Sequence, residues 1–179
     1  AYLVLDAAKR GEISLDEPLR WNRSALRTPC PSDYRAALRN DPSRTVDESL
    51  QRLLVISSNP DAVALQQHLQ GRSDQNFIDL MNATAKRLGL KDTHYVDPTG
   101  RYTDNRSSAD DQITMLRKLK EDYPDQYARL AGIREVEVNG RTFGSTLRTV
   151  YHNGGDVEFG KTGTGYAHGA KNNRVVMTE

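Results

Sequence analysis

The sequence predicts an α+β protein in which an antiparallel sheet is covered by a layer of helices. Two observations predict it. Up to about residue 124 the apolar residues recur at helical spacing, with caps and breakers marking the ends of each run. Beyond that point the pattern changes to strand-like alternation around an Asn-Gly pair, a strong hairpin signal. Helices first and antiparallel strands last suit a sheet packed under helices better than alternating βαβ units. At 179 residues the chain is expected to form one domain, 1–179, long enough to bury a real core.

Each element follows in order. Residues 1–10 read as a helix closed by Gly11. Residues 12–22 read as extended or turn-like. Residues 27–44 hold three of the seven prolines and read as mostly loop, with a short helix around "DYRAALR". Residues 45–58 carry Thr45 and, three positions on, Glu48, the pattern of a capping box. Leu50, Leu53, Leu54 and Ile56 make this a buried central helix. Residues 60–71 form a helix with Pro60 at its first position and Gly71 at its end. Residues 73–90 carry an apolar stripe of Phe77, Ile78, Leu80, Met81, Ala85 and Leu88. A turn-rich stretch at 91–107 leads to a helix over 108–124 and a short one after it. "REVEVNGRTF" is the hairpin, and "TLRTVYHNGGDVEFGKTG" and "NNRVVMTE" supply two or three more strands.

The bulk properties exclude several classes. Hydrophobic residues make up 36% of the chain and charged residues 27%, the balance of a globular protein. With 25 basic against 24 acidic side chains and no basic run interleaved with aromatics, nucleic acid is not an expected partner. No apolar run approaches the roughly 20 residues of a membrane span, and no signal peptide is visible. The chain opens inside a helical pattern and closes inside a strand, so truncation at both ends is expected. Cys30, the single cysteine, lies between two prolines and reads as an ordinary loop residue. No His-x-x-x-His or paired-carboxylate pattern calls for a metal, and no cofactor is expected.

Two constellations carry chemistry. Ser57-Ser58-Asn59 lies at the junction of two helices. A serine and an asparagine two apart on a turn can face one cleft, the hydroxyl relaying a proton and the amide holding a carbonyl. The plainer reading is that these residues only end one helix and begin the next. Lys161-Thr162-Gly163-Thr164-Gly165 follows the strand-like "DVEF". On an edge strand the lysine would face an anionic group, glycine would admit a ligand backbone, and the Thr164 N–H would serve an oxyanion. Read alone, this second stretch is also a hairpin turn. Of the four histidines, His68 and His94 read as structural or exposed, while His152 and His168 flank the Lys-Thr-Gly strand and could line a cleft mouth. Asp61 reads as a first-turn helix acid and Asp97 as a turn residue before Pro98.

Together the Ser-x-Asn and Lys-Thr-Gly triplets match two of three signatures of serine enzymes that act on penicillins or cell-wall peptides. With "AYLVLDAAKRGEISLDEPL", "LLVISSNPDAVALQQHL", "MNATAKRLGLKDTHYVDPTG", "RSSADD" and "GKTGTG", the chain resembles the low-molecular-weight penicillin-binding proteins, the D-alanyl-D-alanine carboxypeptidase and endopeptidase family. The resemblance runs over nearly the whole chain and is least in 20–45. It implies a β-lactamase/transpeptidase-like fold and a serine acyl-transfer mechanism on the stem peptides of peptidoglycan, with β-lactams as inhibitors. It implies that Ser57 relays a proton to the leaving amine and that Asn59 holds the substrate amide. Lys161 would support that network, Thr162 would bind near the terminal carboxylate, Gly163 would make room for the D-alanyl backbone, and the Thr164 N–H would supply half of the oxyanion hole. It also implies a place in the periplasm or cell envelope, and it leaves the mode of membrane attachment open.

One departure is plain: no Ser of the chain has a Lys three positions on. The resemblance places that nucleophile just before Ala1, so the printed chain alone is expected to be inactive. Two rivals remain, a non-catalytic relative that binds peptidoglycan or a partner protein in the same groove, and a β-lactamase. The Pro98-Thr99-Gly100 form and the short connection to "SSADD" lean toward the cross-link-cutting endopeptidases.

Overall fold

Apolar periodicity in the first three quarters of the chain becomes a helical layer around a single main core. The computed structural model describes residues 1–19, 21–39, 44–147, 160–165 and 173–178. Helix α1 (Tyr2–Lys9) buries Tyr2, Leu3, Val4, Leu5 and Ala7 and is followed by Gly11 at φ 73°, the left-handed turn foreseen there. Helix α2 (Arg23–Arg27) is an addition to the expected loop. Asn22 caps it by accepting from the N–H groups of Ser24 and Ala25, and its five residues are too few to show a period. Helix α3 (Ser32–Arg39) contains the short helix expected around "DYRAALR" and buries Tyr34, Ala37 and Leu38.

Helix α4 (Val46–Val55) begins with the capping box. Thr45 Oγ1 accepts from Glu48 N at 3.1 Å while Glu48 Oε2 accepts from Thr45 N at 2.7 Å. Helix α5 (Asn59–Gln70) starts one residue before the proline expected to open it. Helix α6 (Phe77–Arg87) starts later than 73 because Asn76 is its cap, its side chain accepting from Ile78 N at 2.9 Å. Helices α7 (Ala109–Asp122) and α8 (Pro124–Ala131) follow, the first capped by Ser108. Val46, Leu50 and Ala64 are fully enclosed with Leu5, Leu65 and Tyr127 in the main cluster. Burying side chains of Leu or Val size is worth roughly 1.5–3 kcal/mol each.

The strands form two antiparallel pairs among the described residues. Strands β1 (Glu135–Val138) and β2 (Arg141–Gly144) pair with Val136 opposite Phe143. Asn139 and Gly140 turn between them at φ 50° and 71°, as a tight hairpin of this twist requires. Strands β3 (Gly160–Gly165) and β4 (Asn173–Thr178) pair from Gly160–Thr178 to Gly165–Asn173. The remainder of the strand expected over 146–163 lies outside the described residues, apart from a turn at 146–147.

A smaller cluster joins hairpin to helices. Tyr34, Ala37, Leu38 and Val138 are buried together, with Trp21, Cys30, Ile56 and Phe143 packed against them. The Tyr34 and Phe143 rings meet edge to face at 5.3 Å. Thr146 N donates to Val55 O at 2.9 Å, tying the chain beyond β2 to the end of α4. These contacts bring three chain segments to the α4–α5 junction.

Candidate active site

The α4–α5 junction is a sharp turn with Ser57 at its apex. Ile56 N and Ser58 N both donate to Arg52 O at 3.2 Å, so one carbonyl in the last turn of α4 holds both sides of Ser57 while the chain reverses. Ser57 holds φ 56°, the left-handed region. That geometry costs a residue with a Cβ about 1–2 kcal/mol. Among the described residues Ser57 shares it only with one other non-glycine, Asn139 of the hairpin turn. Asparagine tolerates the region, whereas a serine is uncommon in it.

Ser57, Ser58 and Asn59 line one cavity of about 230 Å³, so the structure brings the first triplet to a single site. The loop before α3 contributes Cys30 and Pro31, α3 contributes Asp33 and Tyr34, and the hairpin contributes Phe143 and Gly144. Asn59 is half-buried, and its Nδ2 donates to Pro29 O at 3.3 Å. The short connection over 28–31 is thereby fastened to the first turn of α5. Cys30, read from sequence as an ordinary loop residue, is part of this wall, and burial pushes its thiol up rather than activating it.

Asp61 departs from its expected form. It does lie in the first turn of α5, but its side chain faces inward and is fully buried. Its Oδ2 accepts from Tyr34 OH at 2.5 Å and from Ser58 Oγ. Ser58 Oγ in turn accepts from Asp61 N at 3.2 Å. Burial raises the Asp61 carboxyl above its usual value, opposed by the Ser58 and Tyr34 hydroxyls, by Arg52 and by the Ser49 hydroxyl. Burial and the adjacent carboxylate push the Tyr34 phenol up as well, so it stays protonated as a donor. Tyr34 is the site residue that sequence reasoning passed over. The signal present was the apolar spacing of Tyr34, Ala37 and Leu38 at i, i+3 and i+4.

The second triplet lies on β3. Lys161 pairs with Met177, Thr162 with Val176, Gly163 with Val175 and Thr164 with Arg174, so the stretch is a strand with a paired edge rather than a turn. The hairpin-turn reading of these residues is thereby corrected: the backbone runs extended through both glycines. The structure describes this stretch by its backbone pairing with β4 alone. His68 is structural as expected, its Nε2 within 2.5 Å of Glu17. His94 pairs by backbone with Arg106. His152 and His168 lie outside the described residues. Asp97 is the turn residue foreseen, accepting from Thr99 N at 2.6 Å, Tyr102 N at 3.1 Å and Asn105 Nδ2 at 2.5 Å. A separate apolar cavity of about 240 Å³ beside Ala1 and Tyr2 is lined mainly by carbon, with Thr84, Tyr95 and Gln112 its polar members.

Comparison with known proteins gives a consistent set of matches. A family model described as D-alanyl-D-alanine carboxypeptidase matches residues 1–179. The D-alanyl-D-alanine endopeptidase of Escherichia coli is 32% identical over 169 residues, covering 91% of this chain and 52% of that protein. The carboxypeptidase DacF of Bacillus subtilis is 30% identical over 118 residues, covering 65% of this chain and 29% of that protein. The chain therefore spans about half, or less, of the length of these relatives. A solved peptidoglycan synthesis regulatory factor (PBP3) from Streptococcus pneumoniae superposes with a TM-score of 0.73 at 27% identity, covering 99% of this chain and 58% of that one. Penicillin binding protein 5 from Haemophilus influenzae, at 24% identity and a TM-score of 0.78, covers 98% of this chain and 50% of its own and shares the fold.

Proposed function

The chain belongs to the D-alanyl-D-alanine carboxypeptidase family, and from that premise we propose that it carries part of the site of a serine D,D-peptidase. The protein hydrolyses D-alanyl peptide bonds of peptidoglycan stem peptides through an acyl-enzyme and is blocked by β-lactams. The observation that carries this reading is the strained Ser57 turn, which sets a hydroxyl and the Asn59 amide on one cavity. Backbone strain of this kind persists where surrounding structure enforces it, and it concentrates at functional sites.

The chemistry divides into two steps. A serine oxygen attacks the D-alanyl carbonyl, and the amine leaves with a proton. Water then releases the acyl group. Within this chain Ser57 relays the proton to the leaving amine, and Asn59 holds the substrate amide by its side chain. Lys161 sets a positive charge near the Ser57 hydroxyl. Thr162 binds by the terminal carboxylate, Gly163 gives room for the D-alanyl backbone, and the Thr164 N–H stabilises the oxyanion. The chain contains no Ser-x-x-Lys pair, so the attacking serine is not assigned to any of its residues.

The place of action is the cell envelope, in a periplasm where one exists. Among the described residues no helix is long and apolar enough to cross a membrane. Cross-link cleavage draws support from the endopeptidase match, which extends over 91% of the chain against 65% for DacF.

Two substrates test the reading. The protein as it occurs in its source cells is incubated with a stem peptide ending in D-Ala-D-Ala and with a cross-linked muropeptide dimer. Chromatography should show free D-alanine from the first, monomers from the second, or both, abolished by prior treatment with penicillin. Failure to process either substrate would contradict the proposal.

A further inference from the structure

We propose that Asp61 is the positioning residue of the Ser57–Asn59 turn. Its buried carboxylate, held by Tyr34 and Ser58, braces the turn from behind so that Ser57 and Asn59 face the cavity. The catalytic consequence rests on the function proposed above; the bracing itself does not.

The argument starts from what a left-handed serine needs. Ser57 would relax to an ordinary φ unless its neighbours were fixed. Ser58, the next residue, is fixed twice. Its N–H donates to Arg52 O at 3.2 Å, and its Oγ is clasped between Asp61 Oδ2 and Asp61 N. Asn59 follows directly and opens α5. The turn is thus held between the end of α4 and the first turn of α5, with Asp61 as the clasp.

Helix stability alone does not account for a carboxylate in this place. Ser58 already caps α5 by accepting from Asp61 N. A first-turn acid that serves only the helix dipole does so from water, where its charge is solvated. Asp61 is instead fully buried, and the bonds from Tyr34 and Ser58 both fall on its Oδ2. Burying a carboxylate that is only partly bonded is unfavourable. The second bond that Asp61 accepts reaches out of its own helix, to Tyr34 on α3. Tyr34 lines the same cavity and meets Phe143 of the hairpin. One carboxylate therefore ties the turn to both other walls of the site.

The test uses Asp61→Asn and Tyr34→Phe in the protein as it occurs in its source cells. The rate of acylation by a fluorescent penicillin, the thermal midpoint, and crystal structures of the parent and Asp61→Asn are compared. Misplacing catalytic groups by about 1 Å can lower rates by about a hundredfold. We expect acylation by Asp61→Asn to fall at least about tenfold while its thermal midpoint stays within a few degrees of the parent. Tyr34→Phe, which removes one donor and keeps the ring, should show a smaller fall in the same direction and serves if Asp61→Asn does not fold. The pH profile supplies a readout that a merely structural role would not move. Tyr34 from α3, Arg52 from α4 and Cys30 from the preceding loop face Asp61. Titration of Asp61 changes its hold on both hydroxyls, and burial moves that titration above the usual carboxylate range, so the parent's acylation should show a pH limb that Asp61→Asn lacks. Crystals of Asp61→Asn should show Ser57 outside the left-handed region or Asn59 displaced. Parent-like acylation with an unmoved turn would overturn the proposal. If the parent itself is not acylated, the proposed function falls, and the bracing is then decided by the turn in the two crystal structures.

Discussion

Ser57 pays for its conformation in a way that a paired substitution can measure. Ser57→Gly and Ser57→Ala both remove the hydroxyl, but only glycine accepts φ 56° without strain. The glycine variant should be more stable than the alanine variant by about 1 kcal/mol in urea unfolding. Both should lose acylation equally, because the proton relay is gone in each. Equal stability would mean that the turn relaxes freely. The triplet containing Ser57 was legible in the sequence as residue types at a helix junction. Its strain was not, because a positive φ at serine leaves no mark in composition. Asp61 and Tyr34 were hidden for a related reason. Their partnership spans 27 positions and depends on how α3 packs beside α5. A helix acid that faces inward looks the same in sequence as one that faces water.

The elements were more readable where local chemistry sets them. Thr45 and Glu48 announced α4, and the capping box is present. Thr45→Ala should therefore cost about 1 kcal/mol of stability, measured by chemical denaturation. No loss would mean that packing of Val46 and Leu50 alone sets the helix start. Asn139-Gly140 announced the hairpin with equal clarity, since both positions need positive φ. Helix α2 was not readable, because its one buried residue, Ala25, gives no period. Lys161–Gly165 showed the opposite ambiguity. Two glycines in five residues suit a turn, yet pairing with β4 draws the backbone straight. Strand pairing is a non-local decision that local composition does not make.

At the scale of the whole molecule, two buried acids give stability opposite slopes with pH. Burial alone would raise Asp97, but its hydrogen bonds to Thr99, Tyr102 and Asn105 outweigh it and hold the carboxyl below the usual carboxylate value. Its contribution is present above the usual carboxylate range and is lost as pH falls through the lowered value. Asp61 is raised by burial, so its favourable contribution belongs to low pH and is lost as pH rises. Asp97→Asn should therefore destabilise the protein more at pH 7 than at pH 3, and Asp61→Asn should do the reverse. Urea titrations at the two pH values check both signs. The helical layer and the family were legible because helices carry their period locally and the motifs are short. The cavity was not, since it is assembled from the loop before α3, the α4–α5 turn, two helices and a hairpin.

The central claim is that the Ser57–Asn59 cavity belongs to a site that β-lactams acylate. Intact-mass spectrometry of the protein as it occurs in its source cells, before and after penicillin, tests it most directly. The account predicts one penicilloyl adduct per chain, formed far more slowly in Ser57→Ala. An unchanged mass after prolonged incubation with excess penicillin would contradict it.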